Sequence, residues 1–234
     1  MSSIQSFLNK YTEFETFIKN RNQNSRNGDD FNILDDIELK QNIKKWKLYK
    51  NLRNLLTHED KLRNEVYVSI RETLYQDFLK DVEKIMNPPL VTRIFVPTNR
   101  IFKAYSITPL NDVINEMLKK NYTCVPILDN DEHVVGVFSS HSLMLYFQKH
   151  PTEIIEEPCS LLIKDFIKFC QLTNHQDIEY KFISKYETIK NVELMFKKSF
   201  KQNKRIETMF VTEKGDKSEK ILGMLTHWDL NNEH

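Results

Sequence analysis

Apolar residues recur along the first part of the chain at three- and four-residue steps. Phe7, Leu8, Tyr11, Phe14, Phe17 and Ile18 mark one face of a helix, with polar positions between them. The stretch 20–30 is polar, contains Gly28 and reads as a loop. A second helix is predicted over 43–56 and a third from about 66 to 85. Pro88-Pro89 stops the third, because proline lacks an amide donor and restricts the residue before it. A domain boundary is placed there, which makes 1–89 an all-helical domain.

Beyond Pro89 the period changes. Residues 123–128 and 134–138 are short apolar strands around the turn sequence Asp129-Asn-Asp-Glu-His133. Leu110, Val113, Ile114 and Met117 mark a helix before them, and 142–147 a helix behind. The same order then returns. Phe182 and Ile183 form a strand, Ile189, Val192, Met195 and Phe196 a helix, and 208–212 and 221–225 a strand pair. Superposing the copies matches Leu110 with Ile189, Val113 with Val192 and Gly136 with Gly223. About eight extra residues in the second copy fall in two loops, where insertions cost little. The chain is thus read as a multi-domain α and α/β protein: a helical bundle, then two β-α-β-β-α repeats over 90–150 and 151–234.

Composition narrows the chemistry. Lys and Arg total 34 against 33 Asp and Glu, so the charge balance does not point to a polyanionic partner. Cys124, Cys159 and Cys170 are scattered without a Cys-x-x-Cys pair, which fits reduced thiols in a cytoplasmic protein. No basic-then-apolar leader follows Met1, and no run approaches the ~18 apolar residues of a membrane span. Only four glycines are present and none cluster, which excludes phosphate cradles of the Walker and dinucleotide types. Seven histidines include no His-x-x-His or His-Glu-x-x-His pair, so no metal site is expected.

The repeat resembles the CBS family, called Bateman modules when paired. The resemblance rests on Cys124-Val-Pro-Ile-Leu-Asp129 followed by Gly136-Val-Phe-Ser-Ser-His-Ser142, and on Met209-Phe-Val211 followed by Gly223-Met-Leu-Thr-His-Trp-Asp229. It covers about sixty per cent of the chain, from roughly 93 onward. It implies two modules packed about a pseudo-twofold axis, a homodimer through the paired modules, and an adenosine-type nucleotide (AMP, ADP, ATP or a relative) as regulatory ligand, with no cofactor required. Thr226 and Asp229 carry the family's nucleotide-binding signature, with Trp228 placed to wall an adenine. Thr226 at a helix start could hold a phosphate and Asp229 could accept from ribose hydroxyls; ordinary helix capping satisfies the same pattern. In the first copy Ser139 replaces the threonine, and Ser142 stands where the family has aspartate. Serine cannot make the paired ribose contact, so at most one nucleotide per chain is expected.

Leu52-Arg-Asn-Leu-Leu-Thr-His58 resembles the Arg-x(4–6)-His signature of HEPN domains, helical bundles often found as metal-independent ribonucleases. The resemblance implies Arg53 on a scissile phosphate, His58 moving a proton and Asn54 in support. Lys40, Lys44, Lys45, Lys47 and Lys50 make the approach locally basic, which would suit RNA. On a continuous helix Arg53 and His58 lie about 140° apart, so they converge only across a dimer or if the helix ends near Thr57. Three functions follow: a bacterial-type regulatory nucleotide sensor controlling the helical domain, a structural dimerisation scaffold, and a nucleotide-regulated ribonuclease, ranked in that order.

Overall fold

A computed structural model describes residues 3–22, 37–40, 42–59, 69–150, 161–173 and 178–231. The chain divides into two compact units, Met1–Pro88 and Pro89–His234.

The first unit holds helices α1 (Ser3–Asn22), α2 (Ile37–Lys40), α3 (Ile43–Glu59) and α4 (Glu72–Met86). The apolar stripe of α1 supplies Phe7, Tyr11, Phe14 and Ile18 to a core shared with Trp46 and Tyr49 of α3 and Phe78 and Val82 of α4. Phe7 meets Phe78 at 4.7 Å between ring centroids, and Phe14 stacks on Trp46 at 4.8 Å. The Tyr49 hydroxyl donates to Asp81 at 2.8 Å, and Lys45 lies 2.5 Å from the same carboxylate. Helix α4 starts at Glu72, later than its periodicity predicts. Ile70 is already non-helical and buried, and Arg71 is extended (φ −64°, ψ 134°), so the chain docks Ile70 into the core before it coils.

The second unit carries β1 (Val96–Pro97), α5 (Leu110–Lys120), β2 (Cys124–Leu128), β3 (Val134–Ser139), α6 (Ser140–Lys149), α7 (Ile163–Phe166), β4 (Ile178–Ser184), α8 (Ile189–Lys201), β5 (Arg205–Thr212) and β6 (Gly223–Leu225). Short 3-10 turns cover Val91–Arg93, Ile167–Phe169 and His227–Asn231. Strands run β1-β6-β5-β4 in one sheet and β2-β3 in the other. In the larger sheet β4 is parallel to β5, and β5 is antiparallel to β6. The smaller sheet has β2 antiparallel to β3, and Ala104 forms a single parallel bridge to Ile127 of β2.

The two copies share strand order, but they differ in how much of each element forms. Copy two opens on a seven-residue strand and closes on a five-residue 3-10 turn. Copy one opens on one bridge and closes on the ten-residue α6. Pro126 explains the missing strand. Ala104 receives the Leu128 amide and donates to the Pro126 carbonyl, and the next parallel bond would need an amide hydrogen at residue 126. The matching position of β5 is Phe210, whose amide is intact.

Each copy also lends its leading segment to the other. Val91 N–H donates to Glu187 and Ile189 N–H to Pro89, both at 2.9 Å, at the start of α8. Leu110 N–H donates to Leu161 at 2.9 Å and Ile163 N–H to Thr108 at 3.0 Å, at the start of α5. Past these points β1 pairs with β6, while the Cys170 carbonyl accepts from Val137 of β3 at 2.8 Å. The matched glycines sit where these segments cross. A Cβ on Gly136 would lie 2.7 Å from the Cys170 oxygen, and one on Gly223 would meet the Phe95 ring and lie 2.5 Å from the Val96 oxygen. Gly136→Ala and Gly223→Ala are each expected to destabilise the second unit by about 1–3 kcal/mol, as overpacking of a tight contact does. Urea unfolding measures this, and wild-type midpoints in both variants would show that the segments are loosely held.

Candidate functional site

A cleft of ≈ 280 Å³ opens in the second unit between elements of the two copies. Val96, Pro126 and Met224 of the strands line it. So do Arg100, Ile101 and Phe102, which precede the single Ala104–Ile127 bridge and lie outside the described strands. Tyr122 and Thr123 join them from beyond the C-terminal end of α5, where Asn121 adopts a left-handed conformation (φ 55°). Thr226, Trp228 and Asp229 complete the lining. The flat surfaces are Phe102, Tyr122 and Trp228, the last 77% exposed.

Thr226 and Asp229 come together as the sequence predicts, but their bonding is more closed. The Thr226 amide and hydroxyl both donate to Asp229 Oδ2, at 2.6 and 2.9 Å. No described residue hydrogen-bonds the second oxygen, Oδ1. The carboxylate is thus committed through one oxygen to its own turn, and the residue lines the cleft.

The serines of the first copy repeat this turn in the interior. Ser139 N–H donates to Ser142 Oγ at 3.3 Å, and Ser142 Oγ donates to the Val137 carbonyl at 3.4 Å. Both side chains are buried and neither lines the cleft. Around them the counterpart space is packed with the chain's own rings: Phe210 is fully buried, stacked on Tyr180 at 6.3 Å and beside Phe182 at 5.4 Å. Matched residues meet between the copies, with Cys124 Sγ 3.4 Å from Thr208 Oγ1 and Thr123 donating to Glu207 at 2.5 Å.

Burial pushes the Cys124 and Cys170 thiols from an ordinary 9.0 up to about 11. A raised folded-state value favours the protonated thiol, so its stabilisation is complete below pH 9 and lost as pH rises through about 11. The urea midpoint of the wild type is therefore expected to fall more steeply between pH 9 and 11 than that of Cys170→Ala; equal slopes would contradict it.

Arg53 and Asn54 lie on α3, with Arg53 Nη1 donating to Asn54 Oδ1 at 3.1 Å. The helix continues through Glu59, so it does not end near Thr57, and the positions of Arg53 and His58 stay on different faces within one chain. The side chain of His58 lies outside the described residues, as does Cys159. The basic approach is partly neutralised, since Lys45 pairs with Asp81.

Asp129, Asp131 and His133 bring ligand atoms within 4.8 Å of one another, a grouping that histidine spacing alone does not reveal. Its bonds are those of a turn: Asp129 Oδ1 accepts the Asp131 and His133 amides at 3.0 and 2.8 Å. Hydrogen bonds from the His133 backbone and ring hold the Asp129 carboxyl below its usual range. Among the described residues nothing further points to an ion there. No described helix is long and apolar enough to cross a membrane.

Residues 79–149 match the family model of the CBS domain. The match begins inside α4 and runs to the end of α6. Similar solved structures include CbpB in complex with c-di-AMP (13% identity, TM-score 0.49, 67% of this chain and 90% of that one). CBSX2 in complex with AMP is similar at 14% identity and TM-score 0.43, over 61% of this chain and 93% of that one. The CBS domain of a bacterial CNNM/CorC family Mg2+ transporter, in complex with ATP, is similar at 13% identity and TM-score 0.43, over 67% and 93%. No curated protein matches the chain in sequence.

Proposed function

We propose that the second unit is a pair of CBS repeats about a pseudo-twofold axis and that its open cleft binds a single adenosine-type nucleotide. Nucleotide occupancy then controls the helical unit, and the paired repeats associate as a homodimer. The observation that carries the reading is the asymmetry of the matched clefts. One is lined by three flat rings, Arg100 and a carboxylate with a spare acceptor. The other is filled by Phe210 and Tyr180 and has serine where the carboxylate would be. A purine can lie against Phe102, Tyr122 or Trp228, and ribose hydroxyls can donate to Asp229 Oδ1. At ≈ 280 Å³ the cleft falls just short of the ~300–1,000 Å³ range of small-molecule sites, which favours a small ligand.

Matched residues contact one another at Cys124–Thr208 and Thr123–Glu207, as they do beside a twofold axis. The crossed leading segments follow the same relation. A ribonuclease built on Arg53, Asn54 and His58 would need two chains to bring the arginine and histidine together, and no observation favours it over the sensor.

The test is the thermal midpoint of the full chain with AMP, ADP, ATP, c-di-AMP and S-adenosylmethionine. A ligand of the folded state adds about 2.7 kcal/mol at a hundredfold excess over its dissociation constant, which moves the midpoint by several degrees. A shift with one or more of these supports the sensor. An unmoved midpoint with all of them makes the paired repeats a scaffold.

A further inference from the structure

The cleft is asymmetric in charge as well as shape, and this bears on which nucleotide it takes. Resting on the nucleotide reading above, we infer that Arg100 is the phosphate-binding and specificity-determining residue, and that the cleft selects adenosine ligands with a single phosphate. Sequence patterning places the phosphate at Thr226, but the geometry removes that option. Both donors of Thr226 already point at Asp229 Oδ2, at 2.6 and 2.9 Å. A phosphate there would have to break these bonds and then sit against an ionised carboxylate. The turn that follows is a five-residue 3-10 segment, too short to build a helix dipole, and its Asp229 amide already donates to the Thr226 carbonyl at 3.2 Å.

Arg100 is the only cationic side chain among the described residues that line the cleft. It stands on the segment that Pro126 releases from the sheet, and its backbone is fixed by donation to the Pro97 carbonyl at 2.8 Å. Guanidinium geometry suits bidentate contact with one phosphate. Asp229 takes the ribose in the middle of the ligand, and the base on its other side reaches the rings. The lining offers one cation, so Arg100 can meet a single phosphate, while further phosphates add charge that no described lining cation meets.

Isothermal titration of the full chain with adenosine, AMP and ATP tests this, using wild type, Arg100→Ala and Arg100→Lys, in magnesium-free buffer and again with magnesium. Wild type is expected to bind AMP about fivefold more tightly than ATP in magnesium-free buffer, and magnesium, which neutralises the extra phosphate charge, is expected to narrow that gap. Arg100→Ala is expected to weaken AMP by about tenfold and leave adenosine within about twofold, with Arg100→Lys between the two for AMP. ATP binding as tightly as AMP without magnesium, or adenosine and AMP losing equally in Arg100→Ala, overturns the inference and leaves the nucleotide reading intact. Wild type binding none of the three overturns both.

Discussion

Phe210→Ala is expected to destabilise the second unit by about 3–5 kcal/mol, the usual cost of truncating a fully buried phenylalanine. Phe210 has no exposed surface and packs against Tyr180 and Phe182. It belongs to a cluster with Val137 and Ile221, so it joins strands of both sheets. Its match in the first copy is Pro126, which lines the open cleft. The same position thus fills one cleft and shapes the other. Urea unfolding gives the energy, and Phe210→Leu should recover more than half of it because less volume is lost. A cost below about 1 kcal/mol would mean the site collapses freely, and that Phe210 is not what fills it. The alanine variant should not gain a second nucleotide, because Ser142 supplies no carboxylate to the space it opens.

The second large effect concerns binding. Asp229→Ala is expected to reduce nucleotide affinity at least a hundredfold, since it removes the charged acceptor at the ribose end of the cleft. It also removes the acceptor of two bonds from Thr226, so loss of binding alone could reflect a rearranged turn. Asp229→Asn separates the two effects. Its amide oxygen can still accept from the Thr226 amide and hydroxyl, which keeps the turn, while the charge is gone. Wild-type unfolding with binding weakened by about tenfold or more in Asp229→Asn is the expected result. Full affinity in Asp229→Asn would remove the carboxylate from the site.

Much of the repeat is legible in the amino-acid sequence, because its helices and strands bury regular faces. Leu110 and Val113, and their matches Ile189 and Val192, are all buried where periodicity puts them. The turn joining Thr226 to Asp229 is legible too, since its spacing is local. Arg100, Phe102 and Tyr122 are not. They reach the cleft from a loop and a helix end, and no period marks such positions. The readable signal is Pro126, a proline inside an apolar strand, which predicts a broken ladder beside it and an opening where the neighbouring chain departs. The crossed leading segments leave a fainter mark in the paired glycines. Gly136 and Gly223 align as a motif, but only the fold reveals that each makes room for the other copy's backbone. In the helical unit the start of α4 is misread, because Ile70 continues the apolar pattern while its backbone is extended.

The most direct test of the account is the stoichiometry of AMP binding to the full chain by isothermal titration, in wild type and in Asp229→Asn. One site per chain, filled with a single affinity, is expected in wild type, with a loss of about tenfold or more in the variant. Two sites per chain, or one site indifferent to Asp229→Asn, would contradict it.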